Sequence, residues 1–399
     1  MKVLFALALF AAVVVCNFNV PDSYDFREAH PEWAPAIGNQ GICSSCWAFS
    51  SSYVYSARLF LATKKQKKVL FSPQYQVDCH KDRYLNGCGK GNSLTAFEYI
   101  QEFGHVPLGC KSYNSKRNPF GSQTKSSRCD VCDNNAKSVE RYYSSGSYQY
   151  SENVGISRQQ VAEAMKYEIL TNGPVVSMFN VGTDFMIFFH KNKGGIYKKS
   201  PARVNLGSHA IAVVGWGKTD KGQQYWVCAN SWGKKWNNDG YFKIVMYKGN
   251  GGLEKEGYTA PRFDDEDSYM TSTPVEKKST KPRKEAGAPS KISLESTEAK
   301  LAAEFTFGHV KQTMTTLKSY TVQEVHAQVA EGINFSVLLN AVDSKNKKHT
   351  IFSSVNYKPD LTSRMIGFRL MAPAKTCSRS ATETVFIGAA KCMIDVGAK

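Results

Sequence analysis

Residues 38–50 read GNQGICSSCWAFS, and this stretch is the best guide to the rest of the chain. Gln40 is followed six residues later by Cys46, which begins an apolar run with helical period. A thiol at a helix N-terminus lies at the positive end of the helix dipole, which lowers its pKa and favours the reactive thiolate. An amide N–H of Gln40 can stabilise an oxyanion at the same place. The stretch therefore offers two parts of an acyl-transfer site with a cysteine nucleophile, and it lacks the base.

His209 is the candidate base. It begins the strand-like segment 208–217, SHAIAVVGWG, and follows Cys46 by 163 residues, so only folding brings the two together. Asn230, in the motif NSWG, comes directly after a second strand-like segment that ends at Ala229. If the two strands are neighbours, the amide oxygen of Asn230 accepts the imidazole N–H and fixes its tautomer. Trp232 then shields that hydrogen bond from water.

Composition restricts the class of protein. The chain has 399 residues, room for two or three domains, and its 42% hydrophobic content is enough for a large core. The formal net charge of +17 permits binding to nucleic acid, but the basic residues are scattered. The densest basic run, 277–284, lies in a polar stretch that contains proline and has no interleaved aromatic residues. We therefore interpret this run as part of a solvated linker and expect no nucleic-acid partner.

The N-terminus resembles a secretory signal. One lysine precedes thirteen apolar residues, Val3 to Val15, which fit a signal-peptide core and are too short to span a bilayer. We expect residues 1–19 to be the signal peptide, and no later stretch predicts a membrane span. This places the protein in the secretory pathway, with a lysosome-like or digestive vacuole or the extracellular space as its destination.

The cysteine count fits an oxidising compartment, where most cysteines pair. If Cys16 leaves with the signal and one cysteine is the nucleophile, an odd number remains. Cys228 accounts for this, because it lies in an apolar strand pattern where a free cysteine behaves as a buried hydrophobe. Two Cys-x-x-Cys pairs, at 43/46 and 129/132, raise zinc or redox roles, but they stand 83 residues apart and lack a βαβ setting. We expect no metal and no cofactor.

The predicted secondary structure changes along the chain. Helical patterns cover 46–62, 93–103 and 157–170, the last with Ser157 as a plausible N-cap. Strand patterns separated by glycines follow at 174–179, 210–214, 224–229 and 240–246. A mainly helical half thus precedes a mainly β half, and a cleft between them is the expected place for a site.

A second unit follows the β half. Residues 264–290 are acidic and then basic, contain three prolines, and are expected to form a polar linker. One long helical pattern then runs from Leu294 to Tyr320, and strand patterns cover 322–330, 333–342, 349–357, 365–371 and 383–387. This order predicts a small α+β domain at 291–399.

The motifs together resemble the papain family of cysteine peptidases, and within it the cathepsin B group. The residues that carry the resemblance are Gln40, Cys46-Trp47-Ala48-Phe49, His209 and Asn230-Ser231-Trp232, with further likeness at 20–27, 109–113 and 252–256. The resemblance covers residues 20–263 and implies a two-lobed α+β peptidase with a helical lobe and a β-barrel-like lobe. It implies peptide or protein substrates.

The resemblance also implies roles for individual residues. Cys46 is the nucleophile, His209 the base and acid, Asn230 its orienter, and Gln40 the oxyanion-hole donor beside the backbone N–H of Cys46. Gly91, Trp232 and Glu256 are assigned to substrate binding. The implied disulfides are Cys43–Cys88, Cys79–Cys129 and Cys110–Cys132, which leave Cys43 structural and Cys46 free.

Four departures from the family pattern carry expectations. Ser44 stands where the family usually has glycine, which narrows the groove, and residues 88–91 read CGKG in place of Cys-Asn-Gly-Gly. Region 112–128 has no histidine to grip a substrate carboxylate, so we expect an endopeptidase with little dipeptidyl-carboxypeptidase activity. Glu256, by contrast, matches the acidic residue that the cathepsin B group has at the base of the pocket for the second residue before the scissile bond, and it predicts tolerance of arginine there. The mature-like start directly follows the signal without a pro-segment, so either the enzyme is born uninhibited or another element restrains it.

The C-terminal domain resembles cystatins, inhibitors of papain-like enzymes. Residues 328–335 read QVAEGINF and resemble the inhibitory hairpin Gln-x-Val-x-Gly through Gln328 and Gly332, with Ala330 in place of valine. Glu331 adds a charge that is costly in an apolar cleft. Pro373-Ala374 replaces a Pro-Trp pair, and Gly287 is a candidate for the N-terminal glycine. The resemblance implies a terminal disulfide, Cys377–Cys392, and Asn334 lies in a glycosylation sequon.

Three interpretations of this domain stay open. It is a weakened inhibitor that contacts the peptidase cleft within one molecule or between molecules, a degenerate domain that binds partners or aids folding, or an inhibitor of other peptidases. An alternative of another class makes the whole chain a binding or inhibitor protein with a silent protease domain. The intact set of Gln40, Cys46, His209 and Asn230 favours the enzyme.

Overall fold

The computed structural model describes residues 20–80, 87–114, 129–133, 139–152, 156–201, 204–264, 268–270, 285–360, 362–371 and 393–394. The predicted signal peptide, the basic run 277–284, Pro373-Ala374, the predicted strand 383–387 and the pair Cys377–Cys392 lie outside these residues.

Helices and strands alternate in two blocks. The helices are α1 Phe26–Ala29, α2 Cys46–Ala62, α3 Pro73–Cys79, α4 Ser93–Phe103, α5 Arg158–Asn172, α6 Thr183–Lys191, α7 Leu253–Glu256 and α8 Thr297–Thr313. The strands are β1 Tyr24–Asp25, β2 Gly146–Tyr150, β3 Val175–Gly182, β4 Ile196–Tyr197, β5 Asn205–Lys218, β6 Gln224–Ala229, β7 Tyr241–Val245, β8 Tyr258–Arg262, β9 Ser290–Lys291, β10 Leu317–Ala330, β11 Gly332–Asp343, β12 Lys348–Tyr357, β13 Ser363–Met371 and β14 Met393–Ile394.

A helical lobe is built around α2. This helix has the predicted bounds, and almost all of its side chains are buried because it passes through the middle of the lobe. Two shorter helices pack against it and begin with side-chain caps: Ser72 accepts the N–H of Tyr75 at α3, and Asn92 accepts that of Thr95 at α4. Such caps satisfy donors that a helix start leaves unpaired. The packing buries the first residue of α2, Cys46, at the edge of this lobe.

A β lobe faces it. Its strands follow the order β2-β8-β3-β5-β6-β7-β4, with β1 paired to β5, and no pairing closes this path within the described part of the chain. The 14-residue strand β5 lies in the middle, antiparallel to both β3 and β6. This arrangement places His209 on β5 beside the end of β6, where Asn230 follows. Helix α5 begins after Ser157, which forms a capping box with Gln160.

Arg58 ties the two lobes together. It is a buried residue of α2, and its guanidinium donates to the carbonyl oxygens of Gly173 and Pro174, which precede β3. It also forms an ion pair with Glu168 of α5 at 2.8 Å. A buried charge is tolerated only with such partners, so this contact fixes how the lobes meet.

The C-terminal unit is one helix against an antiparallel sheet. The strand order β14-β13-β12-β11-β10-β9 is that of a meander, and β10 turns into β11 at Glu331, with Ala330 paired to Gly332. Helix α8 is shorter than the predicted span 294–320. It ends at Thr313, and β10 begins at Leu317. The β-branched Thr315 and Thr316 fall between them and disfavour continuing the helix.

The segment predicted as a linker is partly packed. Tyr269 stacks on Tyr142 with a ring distance of 5.8 Å, and Ala286 is fully buried. No helix among the described residues is both long and apolar enough to cross a bilayer.

Candidate active site

Cys46 begins α2 and is fully buried. Its sulfur accepts the backbone N–H of Ala210 at 3.5 Å, so the start of the helix faces the strand that carries His209. Burial raises the pKa of the Cys46 thiol to about 11, although the backbone N–H groups of Ala210 and Trp47 oppose this. Loss of water therefore outweighs these N–H groups, which favour the thiolate, in this arrangement.

His209 is held by Asn230. The imidazole Nε2 donates to Asn230 Oδ1 at 2.8 Å, and the same oxygen accepts the backbone N–H of Ser231. Because an amide oxygen only accepts, this contact fixes the proton on Nε2. Nδ1 is buried and has no hydrogen-bond partner within the described residues. Burial lowers the pKa of His209 to about 4, and the bond to Asn230 opposes the shift.

Trp232 covers this pair. Its ring lies 5.4 Å from the imidazole of His209, and it is itself buried. The ring of Phe179 packs on His209 at 6.0 Å. These two rings exclude water from the His209–Asn230 hydrogen bond. The structure thus brings Cys46 next to the strand of His209, and His209 next to Asn230 and Trp232.

Gln40 is buried next to this group. One N–H of its amide donates to the carbonyl oxygen of Cys43 at 2.9 Å, and its Oε1 accepts the hydroxyl of Ser231 at 2.5 Å. A primary amide has two N–H donors, so one remains for an oxyanion. Ser231 therefore sets which edge of the amide faces the nucleophile, a contact that the sequence gives no reason to expect.

Tyr113 is a second residue that sequence reasoning missed. Its hydroxyl donates to the backbone carbonyl of Gln40 at 2.8 Å and lies 2.7 Å from the hydroxyl of Ser45. Burial raises its pKa, so the phenol stays protonated and can donate. Tyr113 joins the two ends of the loop before Cys46. Nothing in the local pattern around Tyr113 indicates this, because its partners lie about 70 residues earlier.

The described cysteines pair in one way. Disulfides join Cys43 to Cys88, Cys79 to Cys129 and Cys110 to Cys132. Cys46 and Cys228 are the free cysteines of the described chain. The first bridge fixes the loop before the nucleophile to the loop 87–91.

Gly91, the predicted wall of the cleft, ends that loop. A Cβ at this position would overlap the indole of Trp47, so the close approach requires glycine. The N–H of Gly91 donates to the carbonyl of Ala286 at 2.9 Å, and the N–H of Ala286 donates back at 2.6 Å. These reciprocal bonds are those of an antiparallel strand pair.

Glu256 is another residue that is predicted to bind substrate. It ends α7 and is partly exposed, and it lines a small cavity together with Ser177 and Met178. The lining of this cavity comes from β3, the strand that pairs with β5, and from the start of β8.

Gly287 and Gln328, which come late in the chain, bond to segments near Cys46 and His209. The N–H of Gly287 donates to the carbonyl of Ser208, next to His209, at 2.9 Å. Gln328 is buried, and its amide donates to the carbonyls of Gly89 at 2.5 Å and Gly287 at 2.7 Å. The side chain of Gln328 therefore bridges the loop 87–91 and the inserted segment, residues 285–287.

The tip of the β10–β11 hairpin contacts the loop that precedes Cys46. The N–H of Glu331 donates to the carbonyl of Gly41 at 2.8 Å, and Asn334 donates to the carbonyl of Ile42 at 2.8 Å. Ala330 is fully buried at this tip, and Gly332 pairs with it across the turn. The loop before Cys46 is therefore covered by the hairpin.

Comparison with known proteins adds the following. A sequence model described as papain family cysteine protease matches residues 20–260. "Cathepsin B-like CP3" of Giardia intestinalis is 33% identical over 237 residues, 59% of this chain and 73% of that protein. "Cathepsin B-like CP2" of the same organism is 32% identical over 249 residues, 62% of this chain and 76% of that protein. Among solved structures, "proCathepsin B S9 from Trypanosoma congolense" is 27% identical with a TM-score of 0.52, covering 62% of this chain and 78% of that one.

Proposed function

The chain belongs to the papain family of cysteine peptidases, in its cathepsin B type, and we propose that Cys46, His209, Asn230 and Gln40 carry out the peptide-bond hydrolysis. The observation that best supports these roles is the meeting of two distant segments. The backbone N–H next to His209 points at the sulfur of Cys46, while Asn230 holds the far side of the imidazole.

The chemistry proceeds in two halves. His209 Nδ1 takes the proton of Cys46, and the sulfur attacks the substrate carbonyl carbon. The backbone N–H of Cys46 and the free N–H of Gln40 stabilise the resulting oxyanion. His209 then gives its proton to the leaving amine, which departs and leaves a thioester. Water, deprotonated by His209, attacks the thioester, and the acid product leaves as Cys46 regains its proton.

Two substitutions test these roles. Cys46→Ala is expected to abolish hydrolysis of a fluorogenic peptide, and Gln40→Ala to lower kcat by roughly 10²–10³, the usual effect of losing one oxyanion donor. Cys228→Ala is the matched control, since Cys228 is the other free cysteine of the described chain and lies in the core. Hydrolysis that survives Cys46→Ala would refute the mechanism.

Glu256 bears on which substrates the peptidase prefers. We propose an endopeptidase that accepts arginine as the second residue before the scissile bond, supported by Glu256 on the wall of the small cavity. Glu256→Gln is expected to reduce hydrolysis of an Arg-Arg substrate more than that of a Phe-Arg substrate. Rapid sequential release of C-terminal dipeptides from a longer peptide would contradict the endopeptidase assignment.

The C-terminal unit bears on how the peptidase is regulated. We propose that residues 291–399 form a cystatin-like domain that restrains the peptidase within the same molecule, with Gln328, Ala330 and Gly332 at its inhibitory hairpin. Support comes from the bonds of Gln328, Glu331 and Asn334 to loops near Cys46. Gly287, in the segment just before this domain, adds a bond to Ser208. A silent protease domain is less favoured, because the catalytic set is complete.

Labelling of Cys46 by a thiol-directed peptidyl epoxide tests this restraint. Gln328→Ala removes two good hydrogen bonds at about 1 kcal/mol each and is expected to speed labelling of the full chain tenfold or more. Gln223→Ala, in an exposed turn, is the control. A wild-type labelling rate that is independent of protein concentration supports restraint within one molecule, and a rate that falls as concentration rises supports restraint between molecules. Equal labelling rates for Gln328→Ala and the wild type would contradict the proposed restraint.

The N-terminal residues bear on where the protein acts. We propose that residues 1–19 are removed as a signal peptide and that the protein acts in the secretory pathway, in a lysosome-like or digestive vacuole or outside the cell. Mass spectrometry of the mature N-terminus tests this, since retention of Met1 would contradict it.

A further inference from the structure

Residues 285–287 lie between Gly91 and Ser208. Ala286 exchanges both backbone hydrogen bonds with Gly91, and the N–H of Gly287 bonds to Ser208, the neighbour of His209. This is strand addition, in which backbone bonds hold an extended peptide and its side chains enter separate subsites. Gly287 also lies against Ser44, two residues before Cys46. A peptide bound in this register therefore has its residue at the place of Gly287 immediately before the scissile bond, and its residue at the place of Glu285 in the third position before that bond.

Glu285 meets a positive charge there. Its carboxylate lies 2.8 Å from the ammonium group of Lys90, and both side chains are largely covered, at 18% and 33% exposed. Lys90 lies between Gly89, whose carbonyl accepts from Gln328, and the wall residue Gly91. Its position is thus fixed by the wall of the cleft and by the bridge of the preceding Cys88 to Cys43.

The charge of Lys90 stays in the cleft when the segment leaves. Any peptide that pairs with Gly91 in the same register places its third side chain before the scissile bond where Glu285 lies now. Alternate residues of a strand point to opposite faces, so this side chain lies apart from the pocket of the second residue and its Glu256. The contact is therefore a property of the cleft as well as of the inserted segment.

We propose that Lys90 is a specificity-determining residue that makes this peptidase favour substrates with glutamate or aspartate at the third position before the scissile bond. The inference rests on the proposed function of the Cys46 site and names a substrate class for it. It concerns Lys90 alone and does not depend on how strongly the C-terminal unit restrains the enzyme.

The experiment compares three internally quenched peptides that differ only in Glu, Gln or Lys at this position, hydrolysed by the full chain. Docking of residues 285–287 lowers the rate for all three peptides by the same factor. This factor cancels in the ratio of their kcat/KM values. For a partly exposed pair of opposite charges we expect a Glu to Gln ratio of about 2 to 5 in the wild type. The ratio should fall towards 1 in about 1 M salt, where the Debye length is about 3 Å.

Three variants assign the effect. Lys90→Ala is expected to bring the Glu to Gln ratio to about 1, Lys90→Glu to favour the Lys peptide, and Lys90→Arg to keep the wild-type order. Lys218→Glu makes the same change in net charge at the far end of β5, about 30 Å along the strand from His209, and is expected to keep the wild-type ratio.

The outcomes separate the two proposals. Equal rates for the three peptides in the wild type, or a ratio that Lys90→Ala leaves unchanged, overturn the assignment of Lys90 while the peptidase proposal stands. Absence of hydrolysis of every peptide, together with absence of epoxide labelling at Cys46 in the Gln328→Ala protein, overturns both.

Discussion

Gly287 is the residue at which the C-terminal part of the chain comes close to the loop before the nucleophile. Its φ of +72° lies in the left-handed region, and a Cβ there would stand 2.7 Å from the carbonyl oxygen of Ser44. An L side chain at such a position costs about 1 kcal/mol or more in backbone strain alone, and the clash with a backbone atom adds to this. The segment next to Cys46 therefore fits the cleft only with glycine here.

The first prediction follows from this clash. Gly287→Ala should weaken insertion of the segment and raise the basal peptidase activity of the full chain by about tenfold, since 1.4 kcal/mol corresponds to that factor. Gly109→Ala is the matched control, because a Cβ at Gly109 meets no atom within 4 Å. Initial rates on one fluorogenic peptide measure both, and an unchanged rate for Gly287→Ala would show that the segment does not limit access.

The second prediction concerns Ser231, which holds Gln40 in its orientation. Ser231→Ala should lower kcat by about 3- to 10-fold and leave KM nearly unchanged, because one hydrogen bond of about 1 kcal/mol stabilises the oxyanion donor without touching the substrate. Ser145→Ala removes a comparable hydroxyl bond, to the carbonyl of Arg262, and is the control. An equal loss in kcat for the two variants, or a rise in KM alone, would contradict a positioning role.

Sequence reasoning reaches some of these residues and not others, for a physical reason. Cys46, His209 and Asn230 are indicated by residue types whose chemistry is specific and by the strands that carry them. Ser231 and Tyr113 act through hydroxyl groups that many serines and tyrosines share. Their partners are set by tertiary packing, which no local pattern reports.

At the scale of elements, the ion pair between α2 and α5 holds the lobes that form the cleft. Burial raises the pKa of Glu168, but the charge of Arg58 and hydrogen bonds from Tyr148 and Asn172 outweigh it, so the net pKa is lowered. A carboxyl group with a lowered pKa stabilises the fold above its ordinary pKa, about 4.3 for Glu. That stabilisation is lost as the pH falls through the lowered value.

The third prediction is the effect of removing this charge. Glu168→Gln leaves the buried guanidinium of Arg58 without its counter-charge and should destabilise the peptidase part by about 3 kcal/mol at pH 7. The urea midpoint, followed by tryptophan fluorescence, measures it, and the gap to wild type should narrow as the pH falls below about 4.3. Glu152→Gln, which breaks the exposed pair with Arg158, is the control. A gap of equal size at low pH would contradict the ion-pair explanation.

The helices differ in how well the apolar period of the sequence predicts their bounds. Helix α4 has its predicted bounds, and α5 begins at the predicted cap and extends two residues past the predicted end, because apolar spacing and caps agree there. Helix α8 stops early because β10 continues as a 14-residue strand paired along its length with β11. Helix α6 has no capping side chain at Gly182, so no start signal marks it.

At the scale of the whole molecule, one apolar core runs through the β lobe and into the C-terminal sheet. Ile292, Val325 and Val329 belong to the same buried cluster as Phe179 and Trp232. The charge of Glu331 lies at the edge of this contact, where the hairpin tip meets the loop before Cys46. Burial raises the pKa of Glu331, and the opposing contributions of Asn39 and Lys358 do not cancel it, while Asp360 adds to it.

The fourth prediction follows from the sign of that shift. A carboxyl group whose pKa is higher in the docked state takes up a proton on docking, so docking is strongest below the ordinary Glu pKa of about 4.3 and weakens as the pH rises through the raised value. Glu331→Gln removes this titration. The ratio of wild-type to Glu331→Gln basal rates cancels the pH dependence of catalysis, and it should rise from about 1 near pH 4 to several-fold near pH 7. Glu295→Gln, whose side chain is 88% exposed, should give a flat ratio. A flat ratio for Glu331→Gln, or one that falls with pH, would mean that the hairpin tip does not bury this carboxylate in the docked molecule.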